Sequence, residues 1–470
     1  MSPAPERLAI GPLQEDIWRF WNGHRTSSVY TMPEVFHYDG VFDVPAAEFA
    51  LNATILRHEA LRTVFRHTDA GVVQLIQDPD PLSVEMLDLR ATAETTRQQE
   101  LQAAVDAVSA RPFDLEAGPP IRLAAIRVRE DLTWLILVVH QIACDGESMV
   151  VALEEFGELY RSARRGTPPD LPPAAPGYGD FVRGQLAALA DGGLAEEAEF
   201  WQERLAGMSG SALPGTEPAA EPDSAVLGVI LLPTMLPSRI SAAVQDFARG
   251  AGATPFSVLL GAMDVMIAAA TGDEDVTIGT VTSLRTPRFA RTVGMLTNTV
   301  VQRSRIELSR SFADVLGDVS LDLMDSLDYQ DLPFTRAIGD LRGPGEALDS
   351  ALIRTMFYAG AVGGLSLGEG KVADVVTSPA EGLYDLSAVC EITPEHIAVD
   401  WKFARCAYSE QAAQGYRAAY EEILAVLLDQ PEAAMDSLAL PAIAARAVTT
   451  GPERIPERVP GHSPLAEDNG

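Results

Sequence analysis

Three features of the amino-acid sequence predict an α/β (α+β) fold. Apolar residues at helical spacing over residues 46–58 lead straight into a β-like run at 61–65. A continuous apolar run from Trp134 to Val139 ends in a histidine, turns, and is followed by an amphipathic stretch at 148–164. Strand-like and helix-like segments then alternate again between residues 225 and 306. Alternation of this kind buries sheets beneath helices, which sets the chain apart from a helical bundle or a β-sandwich.

The elements follow in order. The helix at 46–58 feeds a strand at 61–65, where Leu61, Val64 and Phe65 supply apolar and β-branched character. Residues 94–108 are polar and helical, residues 121–128 alternate as a strand, and Trp134 to Val139 reads as a central strand buried on both faces. The helix at 148–164 presents Val150, Leu153, Phe156 and Tyr160 on one face. Residues 166–177 hold five prolines and two glycines, which favours extended structure, and they serve as the linker between a lobe at 1–165 and a lobe at 178–448. Beyond a surface loop at 209–224 come a strand at 225–232, a buried helix at 255–270 and strands at 275–281 and 299–306. Similar elements in both lobes suggest a duplicated fold, although no repeat exists in the sequence itself. Residues 449–470, rich in Pro, Gly and charge, are expected to be a disordered tail.

With 35 Lys and Arg against 67 Asp and Glu, the formal charge is −32. Such a surface repels phosphate backbones and anionic lipid headgroups, so neither nucleic acid nor a membrane is an expected partner. The three cysteines, Cys144, Cys390 and Cys406, lack CxxC spacing, and the seven histidines form no metal-ligand pair, so no metal site is expected. The residues after Met1 lack the basic and apolar regions of a secretory signal, and the apolar run at 255–270 is broken by Asp264. These points favour a reducing cytoplasm.

The stretch from Val138 to Gly146 concentrates the chemistry. A buried strand ends in His140, a short turn carries Gln141 and Cys144, and Asp145-Gly146 opens the next helix, so polar side chains collect at a strand's end. On its own this favours a hydrogen-bonded core histidine and an ordinary Asp-Gly turn. Cys144 has no base at a readable spacing and reads as a core residue. Arg285, Arg288 and Arg291 make a local basic cluster in an acidic protein.

Around this stretch the sequence resembles the condensation domains of nonribosomal peptide synthetases, members of the chloramphenicol-acetyltransferase-like superfamily, over residues 8–440. Arg57-His58-Glu59-Ala60-Leu61-Arg62-Thr63-Val64-Phe65 is similar to that family's Arg-His-Glu-x-Leu-Arg-Thr-x-Phe motif. Tyr178-Gly179-Asp180-Phe181 resembles its Tyr-x-Asp-Tyr element, and Phe200-Trp201 to Gly207 resembles its Tyr-Trp-x-x-x-Leu-x-Gly helix. The run from Gly279 to Arg285, with Val293-Gly294 and Asn298-Thr299, and the run Tyr329-Gln330-Asp331-Leu332-Pro333-Phe334 resemble two further motifs. His140, Asp145 and Gly146 align with the active-site motif His-His-x-x-x-Asp-Gly, and Gln141 stands where the second His would be.

The resemblance implies two chloramphenicol-acetyltransferase-like lobes in a V, a pseudo-dimer with a tunnel through the junction and the motif at its centre. It implies carrier-protein partners, an acyl or aminoacyl substrate delivered on phosphopantetheine, a small-molecule amine or carrier-bound acceptor, and no bound cofactor. His140 and Gln141 become the candidate catalytic residues, with His140 acting chiefly as a support. Asp145, Gly146 and Arg285 support the site, Arg285 pairing with Asp145 across the lobe junction. Arg288 and Arg291 are candidate contacts to phosphopantetheine or the carrier, with a solvated turn as the equal alternative. Gln141 cannot take a proton, but its amide donates and accepts, so it can orient an amine or hold an oxyanion.

Two functions remain open at this point. One is a condensation-type acyltransferase forming amides in antibiotic or other secondary-metabolite biosynthesis. The other is a catalytically silent platform recruiting carrier proteins or tailoring enzymes. The retained supports, and a start at Met1 and a self-contained end that suggest a free-standing protein acting in trans, favour the acyltransferase, and a monomer is expected. A heterocyclisation domain is excluded because its motif needs Asp at position 140, and an epimerisation domain depends on the second His.

Overall fold

The computed structural model describes residues 6–69, 71–78, 80–215, 227–338, 352–361, 363–375 and 381–449. The expected tail beyond residue 449, residues 216–224 of the expected loop and the first two residues of the strand expected at 225–232 lie outside the described residues.

The first half of the chain runs β1 (Glu6–Ala9), α1 (Pro12–Gly23), β2 (Thr31–Asp39), α2 (Val44–Arg57), β3 (Thr63–Thr68), β4 (Gly71–Ile76), β5 (Glu85–Asp88), α3 (Glu94–Ala110), β6 (Ile121–Arg129), β7 (Leu132–His140) and α4 (Gly146–Arg165). The strand expected at 61–65 starts two residues later, because Glu59–Arg62 forms a 3-10 turn that ends α2's approach to β3. Extended residues 166–177 lead to α5 (Tyr178–Ala190), α6 (Ala195–Leu205), β8 (Leu227–Met235), α7 (Ser238–Ala251), α8 (Pro255–Thr271), β9 (Asp275–Ser283), β10 (Thr297–Arg305), α9 (Phe312–Asp328) and α10 (Phe334–Ala337). The chain ends in β11 (Thr355–Ala359), β12 (Lys371–Val375), β13 (Glu381–Gly382), β14 (Leu386–Ile392), β15 (Ile397–Ala404), α11 (Glu410–Asp429) and α12 (Leu440–Thr449).

A five-stranded sheet has the order β12-β2-β7-β6-β5. Strand alternation divides its side chains between two cores. Phe36, Leu135, Leu137 and Val139 face Leu51 of α2 and Leu153 and Phe156 of α4. Val35, Ile136 and Val138 face Leu101 and Val105 of α3. This two-sided burial explains the unbroken apolar run in β7. The buried stripe of α4 is Met149, Leu153, Phe156 and Tyr160, while Val150 sits beside it, half-buried against Gly363.

The seven-stranded sheet has the order β10-β9-β11-β14-β15-β8-β13, and a three-stranded sheet has the order β1-β4-β3. One face of the large sheet packs Phe357, Ala388, Trp401 and Phe403 against Met263 and Ile267 of α8 and Tyr416 and Tyr420 of α11. Strand β8 runs through Pro233 to Met235, three residues past the expected end at 232. Pro233 is tolerated because β8's outer neighbour, β13, pairs only at Leu227 and Gly228, so no ladder hydrogen bond is required on that side. Among the described residues no single helix is long and apolar enough to cross a membrane.

The chain connects the two large sheets more than once. Strand β12 leaves the neighbourhood of β11 and adds to β2 as the outer strand of the five-stranded sheet, Asp374 pairing with Phe36. Glu381 then returns to β8, and one of its carboxylate oxygens accepts from Ser28 N–H at 2.8 Å and from the Ser27 hydroxyl at 2.9 Å. The hairpin between β9 and β10 reaches the end of β7, placing Leu284 and Leu296 in a core with Ile142, Ala143 and Trp18 of α1.

Candidate functional site

The site is built where β7 runs out of sheet. His140 pairs with Thr31 of β2, and its N–H donates to Pro120 O at 2.9 Å. A 3-10 turn, Gln141–Ala143, follows. The Gln141 N–H donates to Tyr30 O at 2.8 Å, and the Ile142 N–H donates to His140 Nδ1 at 3.2 Å. That second bond needs an unprotonated Nδ1. Burial, with Arg122 nearby as a second cause, pushes the imidazole down to about 3, so it stays neutral at pH 7. His140 therefore shapes the turn rather than offering an accessible base.

Gln141 contrasts with its neighbours. Ile142, Ala143 and Cys144 are buried, whereas Gln141 keeps part of its surface exposed, and among the described residues its side-chain amide makes no hydrogen bond. A donor and an acceptor are thus free at the head of the turn. The Cys144 thiol is fully buried, its pKa held well above the usual thiol value by burial, and it donates to Asp145 O at 3.4 Å. It carries none of the thiolate character a nucleophile needs.

Behind the turn lies a dense polar joint. Asp145, 1 % exposed, caps α4 by accepting from Ser148 N–H at 2.8 Å. It also accepts from Leu296 N–H at 2.8 Å and from both terminal nitrogens of Arg285, at 2.9 and 2.7 Å. Ser148 completes the joint: its Oγ accepts from Arg285 Nη2 at 2.7 Å and from Gly294 N–H at 3.0 Å, and donates to Gly294 O at 2.8 Å. Gly294 must lack a side chain, since a Cβ there would lie 2.1 Å from the Tyr178 ring. Gly146 opens α4 and faces Ala361, 3.4 Å from where its Cβ would be.

Sequence reasoning passed over two residues that brace this site, one in the joint and one on the turn. Ser148 had a readable signal, three residues after the capping Asp145, as cap and capped residue of one helix. Gln14 did not: its Nε2 donates to Ile142 O at 2.7 Å across 128 residues of sequence, which no local pattern announces.

Arg285 is thus brought into the site, and Arg288 and Arg291 are not. Arg288 is exposed, lies over the Phe289 ring and sits 3.5 Å from Asp180. Arg291 reaches Glu154 at 3.0 Å and Glu155 at 3.4 Å, joining the network in which buried Glu155 also meets Arg57 at 2.6 Å and His58 at 2.9 Å. Among the described residues no group of three or more His, Cys, Asp or Glu side chains could hold a metal ion.

A wider set of polar side chains surrounds the turn. Tyr30 lies beside the His140 ring, with centroids 6.3 Å apart, and within electrostatic reach of Tyr384 and Asp16. Tyr384 and Tyr358 are raised to about 12 by burial, yet both keep part of their surface exposed. Glu34 of β2 is likewise part-exposed and is raised to about 7, by burial first and by Asp374 second.

Comparison with known proteins accords with this geometry. The model of the family described as Condensation domain matches residues 6–447. The chain is 32% identical over 343 residues to the chondramide synthase of Chondromyces crocatus, a match spanning 72% of this chain and 9% of that protein. The match thus covers under a tenth of the relative's length. Among solved structures, the starter condensation domain of rhizomide synthetase superposes with a TM-score of 0.80 at 20% identity, covering 92% of this chain and 97% of the other. The X-domain from teicoplanin biosynthesis also gives 0.80 at 20%, covering 93% and 98%. The fold is the two-lobed chloramphenicol-acetyltransferase-like one, and the chain belongs to the condensation-domain family of the nonribosomal peptide synthetases.

Proposed function

We propose that the chain is a condensation-type acyltransferase that joins an acyl or aminoacyl thioester, carried on the phosphopantetheine of a carrier protein, to an amine. It acts as a free-standing, monomeric cytoplasmic protein, with its lobes divided at residues 166–177 except that strand β12 of the second half completes the first half's sheet. The observation that carries this reading is the pairing of a complete Asp145–Arg285–Ser148 joint with a part-exposed Gln141 amide that has no hydrogen-bond partner among the described residues. A protein that only recruits partners has no need to hold a free amide on so rigid a support.

In the reaction, the amine attacks the thioester carbonyl, a C–N bond forms, the C–S bond breaks, and the thiol leaves with the amine's proton. The Gln141 NH2 can donate to the oxyanion of the tetrahedral intermediate, or its carbonyl can accept from the amine and aim the lone pair. Neither action replaces a base, whose absence costs about two to four decades of rate. Buried, neutral His140 does not fill that role. Amines already unprotonated at neutral pH, such as hydroxylamines, hydrazines and aromatic amines, suffer least.

Intact-mass analysis of an acyl-loaded carrier protein mixed with a panel of such amines tests the proposal. Turnover by the wild type should fall by roughly ten- to a hundredfold in Gln141→Ala. Absence of turnover in the wild type, with a gain in Gln141→His, would show instead a retired centre kept as a recruiting platform.

A further inference from the structure

Lys371 and Lys402 are the only lysines in the 470 residues; every other cation is an arginine. Lys371 is exposed on the outer strand β12. Lys402 is half-buried on β15. Trp401 and Phe403 point into the core beneath α8 and α11, so alternation turns Asp400 and Lys402 to the opposite face of the sheet. There the register sets Ser387 of β14 on one side of Lys402 and Leu231 of β8 on the other.

This face leads toward the Gln141 turn. Its row continues through Ser387 to Met356 of β11, and the chain entering β14 carries Tyr384. Tyr384 lies within electrostatic reach of Tyr30, whose carbonyl holds the Gln141 N–H. Three arginines of the joint and the network beside it have carboxylate partners, Arg57 with Glu155, Arg285 with Asp145 and Arg291 with Glu154 and Glu155, and buried Arg122 is held by the carbonyls of Val108 and Arg111. Lys402 differs. Among the described residues its ammonium makes no hydrogen bond or ion pair, and neither does the Ser387 hydroxyl; Asp400, two residues away on the same face, is the charge that acts on Lys402. An ammonium held half out of water without a partner is costly, and burial lowers its pKa accordingly.

We propose that Lys402 and Ser387 form the recognition point for a carboxylate on the acceptor, so that the amine acylated by this protein is an amino acid with a free carboxylate. The inference rests on the acyltransferase reading above. One ammonium, with three donors and a serine hydroxyl beside it, suits a single carboxylate.

Titration calorimetry on the whole protein with the proteinogenic amino acids, each as free acid and as carboxamide, tests this. At least one acid should bind about tenfold or more tightly than its carboxamide. Lys402→Met should abolish the difference and leave carboxamide binding unchanged, and Lys402→Arg should keep most of it. No preference for the acid in the wild type, or a preference that survives in Lys402→Met, overturns the proposal. A parallel comparison of 4′-phosphopantetheine with pantetheine separates the other source of an anion: if Lys402→Met alters only that ratio, the group held is the carrier's phosphate and the proposal fails. Because binding is read without turnover, a carboxylate preference in a protein that never acylates would uphold this site while overturning the acyltransferase reading.

Discussion

Arg285 grips Asp145 with both terminal nitrogens, Nη1 to Oδ2 at 2.9 Å and Nη2 to Oδ1 at 2.7 Å, and the same Nη2 reaches Ser148 Oγ at 2.7 Å. A hairpin loop from one sheet is thereby fixed to the helix that follows the Gln141 turn in the other. Both side chains are almost wholly buried. A buried pair of this kind adds little over a well-packed apolar one, but breaking it strands a charge.

The first prediction follows from that asymmetry. Arg285→Met leaves the Asp145 carboxylate without its cation and should cost about 3–5 kcal/mol in denaturant unfolding. The double variant Arg285→Met with Asp145→Leu should recover part of the loss. A single-variant cost below about 1 kcal/mol would mean that the joint does not hold the loop.

His140 gives the protein a definite acid limb. Its folded-state pKa, about 3, lies below the unfolded value of 6.5, so the neutral ring favours folding above pH 6.5 and that contribution is lost as pH falls toward 3. Stability should fall on this account by roughly 2–4 kcal/mol between pH 6.5 and pH 4. The slope over that interval should flatten in His140→Asn, whose amide can still accept from Ile142 N–H. An unchanged slope would show that other groups set the acid limb.

Asp264 lies in the middle of α8 with neither carboxyl oxygen hydrogen-bonded among the described residues, and burial holds its pKa well above the ordinary carboxylate value. Its protonated form stabilises the fold at low pH, and this contribution is lost as pH rises above the unfolded value of 3.8. Asp264→Leu should therefore stabilise the protein at pH 8 by about 1–3 kcal/mol, with a smaller gain at pH 4. A lower melting temperature at pH 8 would show that the carboxyl serves a packing or solvation role that leucine cannot fill.

The fold was legible where burial imposes a pattern. Strand β7 is covered on both faces, so nothing interrupts its apolar run, and α4 shows its stripe because only one side meets the sheet. Strand β2 hides because Pro33, Glu34 and His37 break the alternation, and α1 because its buried surface is made by Trp18 and Trp21 against distant residues. Strand β12, with exposed or half-exposed side chains throughout, is held by backbone pairing that side-chain periodicity does not report. At the site, motif residues identified the turn and the Arg285–Asp145 partnership. Sequence could not reveal the acidic partners that claim Arg288 and Arg291, since Asp180, Glu154 and Glu155 come from other elements.

Strand β12 makes the order of synthesis matter. The five-stranded sheet has its outer strand supplied by residues 371–375, so during translation β2 waits with an open row of backbone donors and acceptors while more than 200 further residues emerge from the ribosome. Its completion is a long loop closure, late and slow compared with the local hairpins β3–β4 and β6–β7. A fragment ending at the proline-rich segment would keep that edge bare permanently and should tend to pair with other copies of itself.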